Sequence, residues 1–112
     1  MGIELELHSA RPARSSWSTS RATLLRGSYE HGDALDQALS TLDPRGSGRL
    51  RQVDPYGDTL FGEQEAEAAL REIPDLLERC VYESQAAAVR DLAALLTACA
   101  NTPGSYLWFI GD

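Results

Sequence analysis

The chain has 112 residues, 43% of them hydrophobic and 24% charged, with a formal net charge of −7. That length fits one domain burying roughly 65% of the surface its unfolded chain exposes, and the composition is that of an ordered globular protein. A net-acidic surface repels phosphate backbones and anionic lipid, which argues against nucleic-acid and membrane-surface binding.

At the N-terminus Ile3, Leu5 and Leu7 alternate with Glu4, Glu6 and His8, the period-2 pattern of a strand with one apolar and one wet face. Residues 10–20 turn to Arg, Pro and Ser around Trp17, as expected of a connection held down by one indole. Ser18 or Ser20 is a candidate cap for a short helix through Ala22, Leu24 and Leu25 that ends near Gly27. A cleaner helix follows, with Asp33 as N-cap and Leu35, Ala38, Leu39 and Leu42 on one face. Asp43-Pro44 stops it, because proline disfavours helical backbone angles in the residue before it. Gly46-Ser47-Gly48 then reads as a turn, and Arg49 to Val53 as a short edge strand.

Asp54-Pro55-Tyr56-Gly57 carries the residue types of a tight turn: Asp accepts a local backbone hydrogen bond, Pro presets φ and Gly closes. Thr59 to Phe61 runs extended, and Gly62 caps a helix whose first turn holds Glu63 and Glu65. The stretch Asp54-Pro55-Tyr56-Gly57-Asp58-Thr59-Leu60-Phe61, taken with the end Tyr106-Leu107-Trp108-Phe109-Ile110-Gly111-Asp112, resembles a group of small uncharacterised actinobacterial proteins. There the turn is usually followed by Asn where this chain has Gly62, and both residues cap helices. The resemblance covers the C-terminal half and implies an ordered small domain, with no activity to carry over. The use of Arg for all ten basic residues fits a GC-rich genome of that kind.

From Glu63, Ala66, Ala69, Leu70, Ile73, Leu77 and Cys80 keep helical spacing across Pro74. Either the helix breaks near Glu72 and restarts with Pro74 in its first turn, or it continues with a kink; the favoured place of proline at a helix start supports the break. Ser84 is expected to cap a helix with Val89, Leu92, Leu96 and Cys99 on its face, ended by Asn101 and Pro103. The continuously apolar run Tyr106 to Ile110 reads as a central strand buried on both faces. Together these predict one α+β domain over residues 1–112, a small sheet with a buried C-terminal strand and helices packed on one face.

No cofactor, metal site or catalytic set is expected. Glu4, Glu6 and His8 share one strand face and in principle one metal, but a solvated face is the simpler reading. Residues 43–54 have the length of a calcium loop, yet Arg45 stands at the third position and Asp, rather than Glu, at the twelfth. There is no Gly-x-Ser-x-Gly elbow or phosphate-cradling loop. Cys80 and Cys99 fall on apolar helix faces, as buried hydrophobes do.

The candidate binding residues are Asp54, Tyr56, Asp58 and Trp108. The carboxylates and phenol offer a cation or a partner's Arg a site, unless both Asp side chains are spent on local backbone donors. Residues 1–51 hold seven Arg against six acids, residues 52–112 three Arg against eleven. Acidity concentrated in one half favours a small non-enzymatic interaction module, immunity-type or regulatory, working through the helix from Glu63 to Arg79 on a basic protein partner. The alternative is a small-ligand binder or enzyme with a pocket near the 54–61 turn and the C-terminal strand; a homodimer is a third reading. No apolar run reaches membrane-spanning length, and Glu4 and Glu6 interrupt any signal-peptide core, so a cytoplasmic protein is expected.

Overall fold

The computed structural model describes residues 2–11, 23–43, 45–46 and 48–111. Its centre is a four-stranded antiparallel sheet of β1 (Ile3–His8), β2 (Leu24–Ser28), β3 (Asp58–Gly62) and β4 (Tyr106–Gly111), in the order β2-β1-β4-β3. The N- and C-terminal strands are therefore the two inner ones, paired from Ile3 opposite Gly111 to His8 opposite Tyr106. Alternation sends Ile3, Leu5 and Leu7 of β1, with Leu107 and Phe109 of β4, to one face, where all five are buried. Phe61 of β3 joins them edge-on to Phe109, ring centroids 4.8 Å apart.

The helices cover that inner face. They are α1 (Gly32–Leu39), α2 (Glu63–Leu70), α3 (Ile73–Glu78) and α4 (Glu83–Asn101). The long α4 is the spine: Ala88, Val89, Leu92, Leu95, Leu96 and Cys99 are all buried, and it packs on α1, α2, α3, β1 and β4. Each large side chain so placed contributes about 1.5–3 kcal/mol of transfer free energy. Ser28 of β2 donates a hydrogen bond to Asp91 of α4, tying the edge strand to the same helix. This is the expected α+β architecture, with β4 inside the sheet.

The chain breaks at Pro74 as the first of the two readings has it: α2 ends at Leu70, Arg71 and Glu72 turn, and α3 restarts with proline in its first turn. The expected caps shift slightly. His31 and Tyr82, rather than Asp33 and Ser84, occupy the N-cap positions of α1 and α4. Gly62 caps α2 as expected, and the Glu65 carboxylate accepts its N–H at 3.3 Å.

Three expectations fail. Leu24 and Leu25 lie in β2, not in a helix, because the free backbone of β1 on that side takes Leu24 to Ser28 as a ladder partner; Ser18, Ser20 and Ala22 fall outside the described residues. Arg49 to Val53 contains a 3₁₀ turn at Leu50–Gln52 in place of a strand. The cause is Glu72, whose carboxylate accepts the N–H groups of Arg49 at 2.7 Å and Leu50 at 3.2 Å, satisfying the orphan donors of a helical start from 23 and 22 residues away. Finally, β4 is central but not buried on both faces: Tyr106, Trp108 and Ile110 are only half-buried.

Candidate functional site

The turn at 54–57 is built as its residue types require. The Asp54 carboxylate accepts the Tyr56 N–H at 2.9 Å, and the Asp54 carbonyl accepts the Gly57 N–H at 3.4 Å. Thr59 accepts the Asp54 N–H through its hydroxyl at 2.9 Å. The turn then docks on the end of β4, where Gly111 donates its N–H to the Gly57 carbonyl at 2.7 Å. The 54–57 turn and the C-terminal strand thus touch through Gly57 and Gly111.

Tyr56 stands out at 73% exposure, and Asp54 and Asp58 are exposed. Asp58 opens β3 opposite Ile110, and Leu60 lies opposite Trp108, so the pleat puts Asp58 and Trp108 on the outer sheet face while Tyr56 remains in the turn. A groove of about 260 Å³ reaches the turn through Pro55 and is lined otherwise by Ile3, Leu39, Leu42, Leu50 and Val53, among others. Asp54, Tyr56, Asp58 and Trp108 do not contribute to its described wall.

The outer sheet face carries more chemistry than a solvated strand face would. Glu6 is only 6% exposed and His8 is fully buried, which corrects that reading for both. His8 Nε2 lies 3.0 Å from Glu6 Oε1, and its Nδ1 lies 2.8 Å from the Thr23 hydroxyl. Tyr29 donates its hydroxyl to the other Glu6 oxygen at 2.8 Å. The His8 ring sits 5.7 Å from that of Trp108. Buried polar groups must be satisfied, and here each satisfies another across β1 and the two ends of β2. The partners Thr23 and Tyr29 are 15 and 23 residues away, so the β1 sequence alone carries no sign of them.

A cleft of about 590 Å³ opens beside this network, between the start of β1, the residues before α1 and the first turn of α4. Glu4, Glu30 and Asp33 contribute carboxylates to its wall, Tyr29, Gln37 and Ser84 contribute polar groups, and Ile110 contributes an apolar patch. The described lining contains no Arg or His. The carboxylates are spread along the wall. Among the described residues no three His, Cys, Asp or Glu side chains converge as they would on a metal ion.

The acids of the 63–79 segment are engaged differently. Glu65 and Glu72 hold backbone donors, Glu67 and Asp75 pair with Arg71 and Arg79 one helical turn on, and the Gly104 N–H reaches Glu63 at 3.4 Å. Its negative potential is correspondingly muted. Of the two thiols, both free, Cys99 is buried and its pKa is raised by that burial, against hydrogen bonds from the Ser105 hydroxyl and the Leu107 N–H. Cys80 is raised by desolvation too, with Arg90 opposing.

Comparison with family models, curated proteins and solved structures gave no significant match.

Proposed function

We propose that this chain is an acidic protein-interaction module that receives a basic segment of a partner protein in the cleft walled by Glu4, Glu30 and Asp33. The observation that carries the reading is the set of three carboxylates in a concave wall with no basic residue among its described lining. In a concave site field lines are focused, so a basic segment is drawn in quickly and in a salt-sensitive way. The helices from Glu63 to Arg79 are the weaker surface, since five of their six acids are already held by a backbone N–H or an arginine.

The test is a titration of the ¹⁵N-labelled protein with the synthetic peptide (Arg-Gly-Ser)₄ at 20 mM and 500 mM salt. The expected result is shifts centred on Glu4, Glu30 and Asp33, weakened at high salt and lost in Glu4→Arg/Glu30→Arg. Shifts centred on α2 and α3, or none at low salt, would refute it. A small cationic ligand is the second reading, favoured by a cleft volume inside the roughly 300–1,000 Å³ range of small-molecule sites. Saturable binding of arginine amide alone, as tight as that of the peptide, would select it.

A further inference from the structure

We draw no further inference here: the strongest candidate, the side-chain cluster of Glu6, His8, Thr23 and Tyr29 on the outer sheet face, belongs to the site already described, where the hydrogen bonds of Glu6 and His8 run within the cluster and nothing in the structure shows what would reach it.

Discussion

Replacing Gly111 by alanine tests how the 54–57 turn is held. A Cβ on Gly111 would lie 2.5 Å from the Gly57 carbonyl oxygen, 2.7 Å from the Asp54 carbonyl oxygen and 2.7 Å from the Gly57 nitrogen. All three are backbone atoms of a turn already fixed by its own hydrogen bonds, so the turn must lift off β4. Lifting it also breaks the Gly111 N–H bond to Gly57. Overpacking costs about 1–3 kcal/mol and the lost bond about 0.5–1.5 kcal/mol. A loss of about 2–4 kcal/mol is expected, which in a domain of this size lowers Tm by on the order of 10 °C. Gly57→Ala is the control. Its Cβ would meet only the Asp54 side chain, at 2.7 Å from Oδ2, and a carboxylate tip moves cheaply. Neither glycine has positive φ, so both substitutions gain the same few tenths of a kcal/mol from the unfolded chain, and the contact is the only difference between them. Urea unfolding followed by tryptophan fluorescence and circular dichroism gives both values. If Gly111→Ala falls within about 0.5 kcal/mol of Gly57→Ala, the turn is not anchored on β4 as described.

The buried network on the outer face predicts coupling between Glu6 and Tyr29: Tyr29→Phe should cost about 1–2 kcal/mol, and a double-mutant cycle with Glu6→Gln should show on the order of 1 kcal/mol of interaction in urea unfolding. A cycle that closes to zero would mean the hydroxyl does not support the carboxylate. Gly27→Ala, whose added methyl would collide with the Tyr29 ring, is expected to lose the same bond. The thiols give a pH prediction. Both pKa values are raised by desolvation, so the folded state holds its thiol protons more tightly than the unfolded chain does. The associated stability is complete below the ordinary thiol pKa of about 8.5 and falls as pH rises above it. Iodoacetamide under native conditions should therefore label half-buried Cys80 slowly and buried Cys99 not at all. Peptide mass spectrometry that finds Cys99 modified first would contradict this burial.

The sequence expressed the inner face of this fold well because burial there follows strand and helix periods. Leu5 and Leu7, Val89 and Leu92, Leu107 and Phe109 each sit where alternation or helical spacing puts them, and Pro74 breaks its helix by a rule that acts within one turn. The parts that escaped it depend on partners distant along the chain. Leu24 to Ser28 forms a strand because β1 has an open edge. Leu50 begins a 3₁₀ turn because Glu72 arrives from the turn between α2 and α3 to take its N–H. Glu6 and His8 look like the wet side of a strand until Tyr29 and Thr23 close over them. The same distinction separates the two groups of acids. Glu4 lies far along the sequence from Glu30 and Asp33 and joins them in a shared wall only in the fold, whereas the dense run from Glu63 to Glu78, conspicuous in the sequence, is largely occupied by local structure. Charge density along a chain is therefore a poor guide to a binding surface here; what matters is which carboxylates the fold brings to a common space.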